Sequence, residues 1–418
     1  MRGFPFPKGF KDTLAYFRGA MSPSKGTKPL KLTRIFRDFM ESESLSGVIL
    51  TVCTLLSLVL ANSAFGEGYR SFWEIHTGFS VGNMDFHHSL ADWINDGLMA
   101  IFFLMVGLEI ERELFIGELS DRKRAMLPIV AALGGMAVPA LIYFGFNAGE
   151  PTIAGVGIPT ATDIAFAIAI MGAVGNRVPL SIRVFLTALA IIDDLGAILV
   201  IAIFYGHGFS LFHFAVAMGI WLILYFLGRR GVGSLWIYLP AGVVMWAFMM
   251  HSGIHATITG VMLAFAIPFQ GGGKNAVSYK LQHALHRPVA FFIIPVFALA
   301  NTALVIDSGV MSQLGNPESL GIFFGLLLGK PIGIIIFSYA SVALGLASFG
   351  RGVRFVHILG AGTLAGIGFT MSIFITNLAF TNTEWIQVGK ISILIASTVA
   401  AVVGVLMLRF LTPAPEKE

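Results

Sequence analysis

Charge is what this sequence is short of. Its 418 residues include 27 Lys and Arg and 23 Asp and Glu, 12% of the chain, where soluble domains carry about 25%. That is too little polar surface to coat a water-soluble globule, which excludes a cytosolic enzyme and a disordered chain. A single cysteine, Cys53, cannot close an internal disulfide or supply a Cys-rich metal site, which excludes a secreted disulfide scaffold. What the sequence has in excess is apolar residues, 56% of the total, with a mean hydropathy of +0.82. The class that remains is a polytopic membrane protein.

Long apolar runs separated by short polar breaks read as helices, because each segment crossing lipid has to satisfy its own backbone hydrogen bonds. Twelve runs are present: 45–65, 90–112, 126–146, 154–174, 179–205, 211–228, 235–250, 255–269, 288–306, 320–346, 356–379 and 386–411. The seventh and eighth are short enough to be one helix interrupted at His251-Ser252-Gly253. Basic residues decide between the two counts, since they collect on the cytoplasmic side. With twelve spans, all of the 27 Lys and Arg fall on one side except Arg70 and Lys390, read as external, and Lys330, which sits inside a span. Merging the short pair would carry Lys274, Lys280 and Arg287 across and spoil that asymmetry.

The expected fold is therefore an all-α membrane protein of twelve transmembrane helices with both termini cytoplasmic. Residues 1–44 form a basic N-terminal segment that reads as a solvated or lipid-surface tail, 45–411 a single transporter domain, and 412–418 a cytoplasmic tail. Between the first two spans, Phe72, Trp73, Ile75, Phe79 and Val81 around Gly82-Asn83 allow a small external β-hairpin within 66–89. Such a hairpin could stabilise a dimer.

Ionisable groups at membrane depth are costly and mark function by default. Asp163 lies in the fourth run, Asp193 and Asp194 at the middle of the fifth, Lys330 in the tenth, and Glu109 near the inner end of the second. Nothing about packing asks for two adjacent aspartates at mid-span. Burial and a neighbouring like charge both favour the neutral acid; deprotonated, the pair is a dianion that needs a hard cation. One site can thus hold protons or a small alkali cation in turn, which is the core of exchange chemistry. Consecutive helical residues point about 100° apart, so one aspartate faces the ion while the other faces a neighbouring helix or Lys330.

Two runs are interrupted. Pro159, after Gly157, breaks the fourth just before Thr160, Thr162 and Asp163. Gly360, Gly362, Gly366 and Gly368 break the eleventh. The offset between these runs is odd, so spans three to five and ten to twelve run in opposite directions, as an inverted repeat requires, and paired interruptions point to a transporter's ion site. Half-helix ends at mid-membrane expose partial charges, which Asp163 and Lys330 have the right signs and depths to neutralise.

At these residues the sequence resembles the NhaA-type sodium/proton antiporters of bacteria. The matching pieces are WINDGLMAIFFLMVGLEIEREL (93–114), PTATDIAFAIAI (159–170), FLTALAIIDDLGAILVIAIFY (185–205), SGIHATITGV (252–261), LLLGKPIG (326–333) and GIGFTMSIFI (366–375), within similarity running from about residue 41 to 412. The resemblance implies an electrogenic, pH-regulated exchanger in the inner membrane. It exports Na⁺ or Li⁺, imports a larger number of protons, and pairs as a homodimer through the external hairpin. It implies no enzyme activity, no cofactor and no nucleic-acid partner. By the same resemblance Asp194 is the principal Na⁺ ligand and Asp193 its proton-linked partner, able to pair with Lys330. Thr162 and Asp163 assist at the crossing. Glu109, Arg112 and Glu113 belong to a cytoplasmic entrance tied to pH response, to which His255 is also linked, although a histidine beside Ser252 and Gly253 can equally cap a turn.

The chain departs from the family's archetype at Gln282, where a pH-sensing glutamate is expected, and in an N-terminus about 30 residues longer. A proton-coupled symporter would need a roomier site with hydrogen-bonding side chains. An intramembrane aspartyl protease would need two aspartates facing each other from separate helices, and the GxGD signature is absent. A channel is disfavoured because a titratable pair binds ions too strongly for fast conduction.

Overall fold

The computed structural model describes residues 34–411 apart from 83, 207 and 350–352. The basic segment before residue 34 and the tail 412–418 lie outside the described residues. Among the described residues, seven helices are long and apolar enough to cross a membrane, or ten if each of three bent pairs counts as one span. Leu235–Met250 and Ile258–Ala266 are shorter apolar helices. The turn at 251–257, with Gly253 at φ +84°, keeps those two apart, so the short runs are separate helices.

Several boundaries move from their expected places. The first run is helical from Arg34 to Ala61 and then turns through 118° into the short helix Gly66–Trp73. Phe72 and Trp73 therefore end a helix rather than pair in a hairpin. The hairpin itself begins later: His76 pairs with Ser89 and Thr77 with His88, then Ser80 with Asp85 and Val81 with Met84. Gly82, at φ +60°, makes the turn that the Gly-Asn pair signals. The ninth helix starts well before its expected point and spans Val277–Asn301, continuing through Pro288 by way of a widened turn at Val289–Ile293. A widened turn of this kind also occupies Gly325–Gly329, immediately before Lys330. Such turns re-aim the residues that follow them and concentrate at functional sites.

The centre is built by close backbone approaches. The Arg122–Asn147 helix packs along Lys330–Ala343 so tightly that a Cβ at Gly134 would sit 2.4 Å from the Gly333 carbonyl oxygen, and one at Gly333 2.1 Å from that of Gly134. Without an aqueous driving force, small residues that admit dispersion contact are what hold such helices together.

Against this pair lie the two broken helices. Pro151–Thr160, wound as a 3₁₀-helix, and Ile164–Val174 meet at a 43° bend; Phe355–Ala365 and Phe369–Ala379 meet at 44°. The breaks fall at 161–163 and 366–368 and touch each other, with the Asp163 N–H donating to the Ile367 carbonyl at 2.7 Å.

Candidate functional site

The touching breaks place two half-helix N-termini, Ile164 and Phe369, at one point inside the bundle. Asp163 serves both. Its Oδ1 accepts from the Phe166 N–H at 3.0 Å, while Oδ2 accepts from the Thr370 N–H at 3.1 Å and the Thr370 hydroxyl at 2.5 Å. Helix N-termini carry partial positive charge and unmatched N–H donors, so a single carboxylate answers both ends. Thr370 had no place in the sequence reading. Its signal was its position two residues after Gly368, at the start of the second half-helix.

Asp193 and Asp194 lie on the Leu180–Phe204 helix, packed against these breaks. Asp193 is fully buried, and its Oδ2 lies 2.5 Å from Lys330 Nζ, also fully buried, in an ion pair across to the Lys330–Ala343 helix. Thr162 Oγ1 is 2.8 Å from that same Oδ2 and 2.8 Å from the Ala365 carbonyl oxygen. Its one proton can serve only one acceptor at a time, which ties the pair to the C-terminal end of the half-helix Phe355–Ala365. Lys330 thus neutralises Asp193, and no described contact takes it to a half-helix carbonyl.

Asp194 points elsewhere, as helical geometry demands. It is 2% exposed. The ionisable groups whose charges act on it are Asp193, Asp163, Glu109 and Lys330. Among the described residues, Asp193 Oδ1 and Asp194 Oδ1 are both buried with no hydrogen-bond partner. Burying a bare acceptor of this kind is costly. Three carboxylates face one ammonium, so the site can be neutral only with two further positive charges, either protons or a cation. The donor set is all oxygen, which suits a hard ion. Among the described residues no group of three or more His, Cys, Asp and Glu is placed to hold a metal ion.

The remaining sequence-predicted residues divide between the two ends of the bundle. Glu109, Arg112 and Glu113 share the last turns of Met99–Phe115. Arg112 lies over the Tyr279 ring at 5.4 Å, and Glu113 Oε2 accepts from the Glu118 N–H at 2.9 Å, closing the helix end. His255 does not join them. Its Nε2 lies 2.7 Å from the Tyr205 carbonyl oxygen, at the opposite end of the bundle, where Ser210 also bonds to Ser252.

Lys390, a cation that the sequence puts at the external side, is 9% exposed and donates to Asn301 Oδ1 at 3.2 Å, in a chain with Asn377 and Asn95. The partners come from three other helices, so nothing local in the sequence announces them.

Residues 37–408 match the family described as Na⁺/H⁺ antiporter 1. The chain is 52% identical to the Na⁺/H⁺ antiporter NhaA of Cytophaga hutchinsonii, over 92% of this chain and 98% of that protein. It is 52% identical to the antiporter of the same name from Dechloromonas aromatica, over 91% and 97%, and 45% identical to that of Vibrio campbellii, over 91% and 96%. Among solved structures, a sodium proton antiporter of Methanocaldococcus jannaschii aligns with a TM-score of 0.51 at 12% identity, covering 90% of this chain and 98% of that one. At that identity the likeness concerns the fold alone.

Proposed function

The chain belongs to the Na⁺/H⁺ antiporter 1 family, and from that premise we propose that it exports internal Na⁺ or Li⁺ in exchange for external protons, with Asp193 and Asp194 as the shared site. The observation that carries this reading is the pair of buried, partnerless carboxylate oxygens, Asp193 Oδ1 and Asp194 Oδ1, on adjacent residues. Protons or Na⁺ relieve the same deficit, so each excludes the other. Loaded with protons, the site repels nothing and attracts no cation; stripped of them, it is an oxygen-lined anion.

The cycle is alternating access around this fixed site. External protons load Asp194 and the Asp193–Lys330 pair, the site turns inward and releases them, and Na⁺ binds the deprotonated carboxylates with help from Thr162. Asp163 holds the two broken helices in register while they move. The excess of basic residues at the end bearing Glu113 and Arg124 puts that end in the cytoplasm and the hairpin outside, in the inner membrane of a bacterium. Glu109, Arg112 and Glu113 then stand at the cytoplasmic mouth and tune the response to pH. His255 reports from the external end. The hairpin at 76–89 pairs two copies into a homodimer. As a transporter of Na⁺ and H⁺ the protein needs no cofactor.

The test is flux in everted membrane vesicles. Addition of Na⁺ or Li⁺ should dissipate a proton gradient with no organic solute present, and Asp194→Asn should abolish that flux. Unaltered Na⁺-dependent proton movement in the variant would overturn the assignment.

A further inference from the structure

Away from the exchange site, one histidine joins the hairpin to the bundle. His251 directly follows the apolar helix Leu235–Met250, ahead of the turn that Gly253 makes. Its ring reaches two elements at once. Nδ1 lies 2.9 Å from the Ala247 carbonyl oxygen, one turn back on its own helix. Nε2 lies 3.2 Å from the carbonyl oxygen of Asp85, which pairs with Ser80 in the hairpin. Phe86, 5% exposed, packs edge-on against the ring with centres 5.1 Å apart.

A carbonyl oxygen only accepts hydrogen bonds, and a neutral imidazole carries a single N–H. The neutral ring therefore satisfies one of the two contacts, whichever nitrogen holds the proton, and turns a lone pair toward the other oxygen. The imidazolium has an N–H on both nitrogens and satisfies both. Charge favours the same form, because Ala247 contributes one of the last four carbonyls of its helix, the end with partial negative charge. Among the described residues no carboxylate lies within ion-pair distance of the ring, so these carbonyls are what hold the proton. The other titratable groups nearby are engaged elsewhere. In the hairpin, Asp85 and His87 pair with each other through their side chains at 2.5 Å. His213, from Leu211–Arg229, has its ring centre 5.9 Å from that of His251 and its Nδ1 2.8 Å from Ser210 Oγ. Asp96, from Leu90–Phe115, accepts the Trp246 indole N–H on its carbonyl, and His255 is turned to Tyr205.

We propose that His251 is a proton-operated clamp on the hairpin: the imidazolium donates to Ala247 and Asp85 together and fastens the hairpin to the bundle, and the neutral ring lets one of them go. The docked hairpin holds a proton that the released one does not, so docking weakens as pH rises. Histidine changes charge between about pH 5 and 8, which sets the window. With the hairpin end outside, as in the antiport reading above, the clamp answers to external acidity.

The experiment uses the full-length protein in lipid nanodiscs, with spin labels introduced by Ser80→Cys and Val243→Cys, both exposed positions, in a Cys53→Ser background. Excess unlabelled protein restricts the measured distances to pairs within one chain. With His251 in place, a single distance at about pH 5 should give way to a mixture with a longer one at about pH 8. The ratio of docked to released hairpin should fall about tenfold or more, as loss of a hydrogen bond from a charged donor implies. His251→Gln, neutral throughout, should give the same mixture at both pH values. His251→Lys, charged throughout, should also give a ratio that pH does not move. His213→Gln and His87→Gln should keep the transition. A transition that survives His251→Gln, one that His213→Gln or His87→Gln abolishes, or distances that ignore pH with His251 in place would each overturn the proposal. The measurement needs no Na⁺ flux, so failure of the clamp leaves the antiport reading standing, and failure of antiport leaves the clamp to be judged by the distances.

Discussion

At the scale of single residues, the Asp193–Lys330 pair divides stability from exchange. Both side chains are fully buried and 2.5 Å apart. Removing one partner of a buried pair leaves an uncompensated charge and costs about 3–5 kcal/mol, whereas neutralising both is often close to neutral. Asp193→Asn and Lys330→Gln should each lower the thermal unfolding midpoint of the detergent-solubilised protein, and the double variant should recover much of the loss. A double variant no more stable than the weaker single would show that the pair is not what the singles break. The sequence already pointed to these residues, because charge at mid-span is rare and adjacent charges rarer. Helix geometry alone left open which aspartate faced the lysine, since a 100° step on a helix cannot be oriented without the neighbouring helix, and only the family resemblance implied Asp193. Thr370 and the burial of Lys390 were not legible for a related reason: their partners, Asp163 and Asn301, lie far away along the chain.

At the scale of elements, the interrupted helices were read from Pro159 and the glycines of 360–368, and the breaks fall at 161–163 and 366–368. Backbone chemistry is local, so the places where a helix cannot continue are visible in one dimension. Less visible was that one side chain caps both downstream halves. Asp163 accepts from Phe166 and from Thr370, so its substitutions should be graded. Asp163→Asn keeps an acceptor for one half-helix, and Asp163→Ala keeps none. Each lost cap costs about 0.5–2 kcal/mol, so the alanine variant should unfold at lower temperature than the asparagine variant, and both below wild type. Equal midpoints for all three would remove the shared-cap role. Glu109, Arg112 and Glu113 share one helix end, while His255 sits at the other end of the bundle. Helix order places residues in a span, but only packing tells which end of the bundle a turn such as 251–257 joins.

At the scale of the whole molecule, the distribution of charge sets the energetics of the cycle. The buried centre holds Asp163, Asp193 and Asp194 against Lys330, a deficit of two positive charges when all four are ionised. Two protons neutralise it fully; one Na⁺ does so by half. A cycle that brings in two protons and carries out one Na⁺ therefore moves one net positive charge inward. The membrane potential acts on that charge with about 2.3 kcal/mol per 100 mV. At about 1.4 kcal/mol per factor of ten, an inside-negative potential of about 100 mV with no pH difference should hold the Na⁺ concentration ratio near 50-fold. Proteoliposomes clamped with a potassium gradient and valinomycin measure this directly, by finding the Na⁺ ratio at which net flux stops. An electroneutral one-for-one exchanger would come to rest at equal Na⁺ on both sides whatever the potential. A stopping point that does not move with voltage would mean that only one proton enters for each Na⁺ that leaves, and that the second charge of the deficit is never supplied by a proton.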